Sequence, residues 1–187
     1  MTHEVQGLRY VRLLQERPSC IPQGRPRGAK AQGVKYEEAL AKSPHFATAS
    51  HGVWLEFSDA RGHGYAQVDF LFTYLATIVA VEAKLTWTPA AYVQLRKLYF
   101  PLLEKFTSRP VGGIIVCQNL TRETPKADVT NDFFEALNIA QFEPGRIPVL
   151  HLPLLAKEPR RVTRPKPRVP SWWRKGQVAS GVGHPTG

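Results

Sequence analysis

The most constraining feature of the chain is an uncharged run, Phe70 to Val81, that has an acidic residue at each end. It is rich in Phe, Leu, Ile, Val, Thr and Tyr, several of which favour β-strands. The run is longer than a usual strand, so the pattern predicts two antiparallel strands joined by a tight turn near Leu75-Ala76. This register places Asp69 directly opposite Glu82, with β-carbons roughly 5 Å apart.

Side-chain alternation brings a lysine to the same place. Glu82 and Lys84 share one face of the second strand, whereas the apolar residues around them take the other. Two interpretations stay open. The polar face is either the solvated side of an antiparallel sheet, or a partly covered face on which two carboxylates and an ammonium meet. Leu71, Ile78 and Ala80 share that face and an amphipathic helix follows, which favours partial cover.

The positive charge of the chain is concentrated in one segment. The formal net charge is +10 with a pI near 9.9, and eight Lys or Arg but one acidic residue lie between Lys157 and Lys175. A hydrophobic content of 43% is typical of a globular domain. We therefore expect a polyanionic partner and three segments: a basic N-terminal arm or loop (1–32), a globular domain (33–156) and a basic tail containing Pro and Trp (157–187).

Cysteine usage and hydropathy bear on the compartment. Cys20 and Cys117 are far apart and form no C-x-x-C pattern, so neither a disulfide framework nor a zinc site is predicted. The first residues lack a charged region followed by an apolar core, and no uncharged stretch approaches the roughly 20 apolar residues of a membrane span. We expect a soluble, cytoplasmic protein without membrane association.

Turn residues and periodicity predict the remaining elements. Thr88-Pro89 is a typical helix start, and Pro101 predicts a kink in that helix. Besides the hairpin, we expect a helix at 33–42, a strand at 53–57, a helix at 89–106, a strand at 111–120, a helix at 131–138 and a strand at 147–152. These elements indicate an α/β (α+β) protein.

Glu37 is unusual within the first predicted helix. At 100° per residue the apolar side chains fan across one side, and Glu37 falls in the middle of that fan with Glu38 at its edge. A carboxylate on a core-facing side is costly to bury unless it is paired or holds a metal. Glu37 is therefore either a site residue or an acid that interacts with the positive end of the helix.

Other polar residues have less specific patterns. Gln94, one position before the apolar stripe of the later helix, either reaches over the sheet or is an ordinary exposed residue. His63 lies in a turn, which favours exposure over a phosphate contact. His45 and His51 have no partner at metal-ligand spacing, and the chain has no H-E-x-x-H motif.

The arrangement resembles the PD-(D/E)xK nuclease superfamily over roughly residues 33 to 120. Gly33 to Glu37 is similar to the helix motif, Gln67-Val68-Asp69 takes the PD position with Val68 in place of proline, and Glu82-Ala83-Lys84 is similar to the ExK triplet. The stretch Val81 to Thr86 is similar to uncharacterised phage-borne members. The segment Gln94 to Tyr99 is one residue longer than the Q-x-x-x-Y signature of the RecB-like branch. The resemblance implies a restriction-endonuclease-like core, a central mixed sheet of four to five strands flanked by helices, in the order αβββαβ.

The resemblance also implies a site for Mg²⁺ or Mn²⁺. Asp69, Glu82 and the Ala83 carbonyl would bind the ion, and Glu37 would bind through water or a second ion. Phosphodiester hydrolysis adds negative charge to the phosphorus oxygens, which a hard divalent cation counters directly. Magnesium usually needs only one or two protein carboxylates, because it keeps several waters.

Two further residues take catalytic roles by resemblance. Lys84 would orient the attacking water and stabilise its hydroxide form or the developing phosphorane charge. Gln94 would steady that water or a phosphate oxygen. With Glu37, Asp69 and Glu82 these residues form the predicted catalytic set.

The basic tail fits this function as an accessory. Its prolines favour an extended chain, its charges can neutralise phosphates, and its tryptophans can stack on unpaired bases. Alternatively, the tail is solvated and the tryptophans dock on the domain or a partner subunit. The predicted nucleic-acid-binding residues are Arg160, Arg161, Arg164, Lys166, Arg168, Trp172, Trp173, Arg174 and Lys175.

The predicted function is a magnesium-dependent deoxyribonuclease in the replication, recombination or packaging of phage or viral DNA, in the host cytoplasm if viral. Its partners would be DNA and either a second copy of the chain or a viral protein. The alternative is a non-catalytic nucleic-acid-binding or virion-interaction module that retains the nuclease fold.

Overall fold

A β-sheet with helical segments on both faces organises the fold. The computed structural model describes residues 4–74, 76–125, 129–130 and 144–155. The strands are β1 (Tyr10–Leu14), β2 (Ser50–Asp59), β3 (Gly62–Thr73), β4 (Ile78–Thr86), β5 (Val111–Asn119), β6 (Val129–Thr130) and β7 (Val149–His151). The helical segments are α1 (Ala29–Ala41), a 3₁₀ turn (Pro44–Phe46), α2 (Pro89–Gln94), a π-helical turn (Leu95–Tyr99) and α3 (Phe100–Thr107).

The sheet is mixed. Its strands lie in the order β1-β2-β3-β4-β5-β7-β6 within the described residues. Strands β1 to β4 pair antiparallel, whereas β4, β5, β7 and β6 pair parallel. The change comes after β4, because α2 and α3 form the crossover that a parallel neighbour requires. The predicted α+β architecture is confirmed, and the sheet is wider than predicted because β1 and the short β6 extend its edges.

The β3–β4 hairpin has the predicted register. Phe70 lies opposite Val81, and Thr73 lies opposite Ile78. The ladder between the two strands ends at Phe70 and Val81. Asp69 and Glu82 therefore lie just beyond the last pair, where the strands separate, rather than within the ladder as predicted.

Part of the N-terminal segment belongs to the sheet, which corrects the prediction of an arm or loop over residues 1–32. Strand β1 pairs with β2, and Tyr10 lies opposite Ser58. The Tyr10 hydroxyl donates to the buried Glu56 carboxylate at 3.0 Å, and Arg12 binds the same carboxylate. These contacts join residues that are far apart in the sequence, so local patterns give little sign of them.

Helices cover both faces of the sheet. On one face, α1 buries Tyr36 and Leu40 in a cluster that includes Phe70 and Val81. On the other face, α2, the π-helical turn and α3 cover a second cluster, which contains Leu71, Ile78, Ala80, Leu95, Leu102 and Leu103. The face that carries Leu71 is therefore covered, and it is not the solvated side of the sheet.

Side-chain alternation in β3 is interrupted beside Asp69. Val68 and Phe70 are two residues apart and would share a face in a regular strand, but they belong to clusters on opposite faces. The pairs on either side of Asp69 leave Gly52 of β2 opposite it. Gly52 has a φ of 64°, in the left-handed region that favours glycine. Regular alternation along β3 therefore fails beside Asp69, and Val68 and Phe70 pack on opposite faces of the sheet.

The helical region after β4 begins at Pro89 as predicted and contains the π-helical turn. Pro101 has no N–H to donate to the carbonyl oxygen of Lys97. That oxygen instead accepts a hydrogen bond from the N–H of Val5 at 3.0 Å. The π-helical turn lies directly before the residues where the sequence predicts a kink, and the N-terminal segment binds the backbone oxygen that the proline leaves available.

Some predictions fall outside the described residues: the helix at 131–138, and the tail at 157–187 with all of its predicted nucleic-acid-binding residues. The described residues belong to one compact unit, Met1–Ala156. Among them, no helix has the length and apolar character needed to cross a membrane.

Candidate active site

The candidate site forms where β3 and β4 separate. Beyond the last pair of the ladder, the backbone N–H of Ala83 donates to Asp69 Oδ2 at 2.8 Å. The N–H and C=O groups of one extended residue project to the same edge of a strand. The carbonyl of Ala83 therefore also projects to the edge of β4 on which Asp69 lies.

Glu82 is buried beside this point. Its side chain is 1% exposed, its Oε1 contacts Lys84 Nζ, and its Oε2 has no hydrogen-bond partner among the described residues. Burial, and then the charge of Asp69, raise the pKa of Glu82 to about 8, although Lys84 and the Tyr99 hydroxyl act in the opposite direction. A buried carboxylate oxygen without a donor is costly, so this atom is suited to a proton or a cation.

Lys84 interacts with all three acids. Its side chain is 29% exposed. Burial acts to lower the pKa of Lys84, but the carboxylates of Glu82, Asp69 and Glu37 outweigh it and raise this pKa above its ordinary value. The ammonium group is therefore charged at neutral pH.

Helix α1 places Glu37 near the same groups. The preceding residue, Tyr36, is fully buried, and its hydroxyl donates to the Leu152 carbonyl oxygen at 2.9 Å. This contact holds α1 against the sheet. Burial, followed by the charge of Asp69, raises the pKa of the half-buried Glu37 to about 7. Glu38 is exposed, so Glu37 is the better candidate for the helix carboxylate.

The π-helical turn accommodates the spacing of Gln94 and Tyr99. A π-helical turn places residues five apart on one side of the helix. Gln94 Nε2 donates to the Tyr99 hydroxyl, which in turn donates to the Gln67 carbonyl oxygen on β3. Burial, and then the charge of Glu82, raise the pKa of Tyr99. The longer spacing therefore still brings the amide and the phenol together, beside the buried acid.

His51 is a neighbour of the site that the metal-ligand spacing rules miss. It lies opposite Phe70 and stacks on that ring, with centroids 4.7 Å apart and planes at 19°. Burial raises the pKa of Asp69, and the Ala83 N–H, then Lys84, then His51 oppose this effect. Motif spacing along the sequence does not identify His51, because the residues near it lie on β3, across the β2–β3 strand pair.

A cavity of about 860 Å³ opens onto these residues. Asp69, Ala83 and Lys84 line it, as do Trp54 and Gln67. Glu82 is buried and is not one of the lining residues. The Lys, Arg, Asp and Glu side chains that line the cavity are Arg17, Lys30, Glu37, Glu38, Asp69 and Lys84.

The predicted metal ligands are oxygen donors, the type of ligand that a hard cation prefers. Within the described ranges, no group of three or more His, Cys, Asp or Glu side chains is placed to hold a metal ion. Mg²⁺ is usually held by one or two carboxylates together with waters. Asp69, the orphaned Glu82 Oε2 and the Ala83 carbonyl are all oxygen donors, which suit Mg²⁺ or Mn²⁺ better than a soft metal.

Comparisons with known proteins find no relative of this chain. The chain matches no family model, no curated protein and no solved structure. The resemblance to PD-(D/E)xK nucleases therefore stays a prediction from the sequence motifs.

Proposed function

We propose that this chain is a metal-dependent nuclease that hydrolyses phosphodiester bonds in DNA, with Mg²⁺ or Mn²⁺ as its cofactor. The observation that carries the proposal is the meeting of Asp69, Glu82 and Lys84 where β3 and β4 separate. A purely structural role explains this cluster poorly, because burial and the charge of Asp69 both act against the ionised form of Glu82, and a carboxylate buried in this way destabilises a fold.

Each side chain has a distinct role in this proposal. The bound cation would counter the charge that develops on the phosphate oxygens. Lys84 is charged and partly exposed to the cavity, so it orients the attacking water or stabilises charge on the phosphorus oxygens. Glu37 lines the cavity together with Asp69 and Lys84, so it would bind the ion through water or accept a proton from the attacking water. The Gln94 amide donates to Tyr99, so we assign it to positioning that phenol.

The restriction-endonuclease-like core is part of the same proposal. A mixed sheet with α1 on one face and α2 and α3 on the other supports it, as does the position of the acids on adjacent strands. We assign the enzyme to the replication, recombination or packaging of phage DNA, with DNA and a second copy or a viral protein as partners.

A cleavage assay tests the proposal. Labelled single-stranded, double-stranded and branched DNA is incubated with the protein in Mg²⁺, Mn²⁺ or EDTA. We expect product with Mg²⁺ or Mn²⁺ and none with EDTA, and Asp69→Asn lowers the rate by at least about 100-fold. Glu104→Gln, which changes an exposed carboxylate on α3, is the matched control and leaves the rate unchanged. Cleavage at the wild-type rate by both Asp69→Asn and Glu82→Gln would overturn the proposal.

Two observations favour a second candidate, a non-catalytic nucleic-acid-binding module. Among the described residues, no three His, Cys, Asp or Glu side chains are placed to hold a metal ion. In addition, Lys84 already contacts one oxygen of Glu82. This candidate predicts DNA binding in EDTA, no product with either metal, and binding that survives Asp69→Asn but weakens when residues 157–187 are removed.

A further inference from the structure

Trp54 lines the same cavity as the candidate catalytic residues. It is half-buried on β2, where it lies opposite Gln67 of β3. Asp69 follows Gln67 by two residues, roughly 7 Å along the strand. The Trp54 ring and the Asp69 carboxylate therefore line one cavity from neighbouring strands.

The guanidinium group of Arg17 lies over the Trp54 ring, 5.7 Å from its centroid. The Arg17 residue is exposed, and it also donates to the carbonyl oxygen of Pro22 at 2.5 Å. A planar cation over an indole ring occupies the position that a stacked base takes in complexes with single-stranded nucleic acids. An exposed, long side chain can leave this position at little cost and contact a phosphate instead.

We propose that Trp54 is a stacking platform for an unpaired base, and that the substrate enters the cavity as a single strand or a frayed end. The proposal rests on the nuclease function and specifies its substrate class. Stacking on an aromatic ring requires a free base face, and in an intact duplex both faces of each internal base are covered by neighbours. A duplex can reach Trp54 only by opening.

The charges of the cavity fit this substrate. Three lining cations, Arg17, Lys30 and Lys84, can contact the phosphates. The three lining carboxylates are Glu37, Glu38 and Asp69, so these charges alone give the cavity little net attraction for phosphate. Stacking therefore supplies an attraction that does not depend on charge, and base–aromatic stacking contributes about tenfold or more in affinity per base.

Tryptophan fluorescence tests the proposal without requiring cleavage. The chain has four tryptophans, Trp54, Trp87, Trp172 and Trp173. Trp87 is 6% exposed and inaccessible to a base. In a Trp172→Phe/Trp173→Phe background, therefore, quenching by DNA in EDTA reports on Trp54.

We expect a short single-stranded oligonucleotide to quench the fluorescence, and a blunt duplex of the same sequence to quench it much less at equal concentration. Trp54→Leu weakens binding of the single strand about tenfold, and Trp54→Phe, which keeps an aromatic ring, restores most of it. Arg9→Ala, which changes an exposed cation that does not line the cavity, is the control for charge alone and leaves the preference for the single strand unchanged.

Two results would overturn the proposal: no quenching by the single strand, or equal quenching by single strand and duplex. If Trp54→Leu does not fold, the quenching of the parent protein and the affinity of Trp54→Phe still decide it. Cleavage of duplex and single strand alike without quenching means that the nuclease function stands and the platform fails. Quenching by single strands without any cleavage means that the stacking platform stands and the nuclease function fails.

Discussion

The Asp69 carboxylate accepts the backbone N–H of Ala83 at 2.8 Å, just beyond the last residue pair of β3 and β4. A side-chain oxygen thus binds a donor on the β4 edge where regular pairing of the strands has stopped. The separation of the strands makes room for Glu82 and Lys84 to interact with the same carboxylate. The candidate site is therefore a consequence of interrupted strand pairing.

The stability of the metal-free protein should fall as pH rises from about 5 to 9. Folding raises the pKa of Glu37 to about 7 and that of Glu82 to about 8. Groups with raised pKa values stabilise the fold fully below their unfolded pKa and lose this contribution as pH rises through the folded values. We expect the thermal midpoint in EDTA to decline over this window, and the decline to be smaller in Glu37→Gln.

Magnesium should oppose that decline, because a cation bound to the ionised carboxylates stabilises the folded state. The increase in thermal midpoint on adding Mg²⁺ should be larger at pH 8.5 than at pH 6. A midpoint in EDTA that rises with pH, or a pH profile unchanged by Glu37→Gln, would contradict the assigned pKa shifts.

Removing the Tyr99 hydroxyl should destabilise the fold. Tyr99 is 1% exposed, accepts from Gln94 and donates to the Gln67 carbonyl oxygen. Tyr99→Phe leaves that oxygen without this donor, which costs about 1–3 kcal/mol. Urea denaturation measures the loss, and the double variant with Gln94→Leu should cost less than the sum of the two single changes. Strict additivity would show that the two side chains do not act together.

Glycine substitutions at two positions should have opposite effects. A Cβ added to Gly113 on β5 would lie 2.8 Å from ring atoms of Phe100, so Gly113→Ala should cost about 1–3 kcal/mol through overpacking. Gly33 is the control, since it lies in α1 and a Cβ there has no described atom within 4 Å. Gly33→Ala should stabilise by about 0.5–1 kcal/mol. Equal effects in urea denaturation would mean that Phe100 moves away at no cost.

The sequence predicts the hairpin well because one run of residues fixes both its length and its centre. The uncharged stretch from Phe70 to Val81 leaves little choice of turn position, and the register follows from it. Thr88-Pro89 similarly marks a helix start by local chemistry alone. These elements depend on neighbouring residues, which patterns of polarity can detect.

Other features depend on distant partners and cannot be predicted in this way. Strand β1 is recognised by its pairing with β2, about forty residues later in the chain. The change of face beside Asp69 depends on the backbone of Gly52 across the strand pair. Helix α1 starts at Ala29, four residues before the predicted start at Gly33, because its first turn lacks the apolar spacing that marks a helix.

Calorimetric titration of Mn²⁺ into the metal-free protein shows whether Asp69 and Glu82 bind a cation. We expect a saturable uptake of Mn²⁺ that is lost in Asp69→Asn and in Glu82→Gln and retained in Glu104→Gln. No uptake by the wild-type protein, or the same uptake after Asp69→Asn, would contradict it.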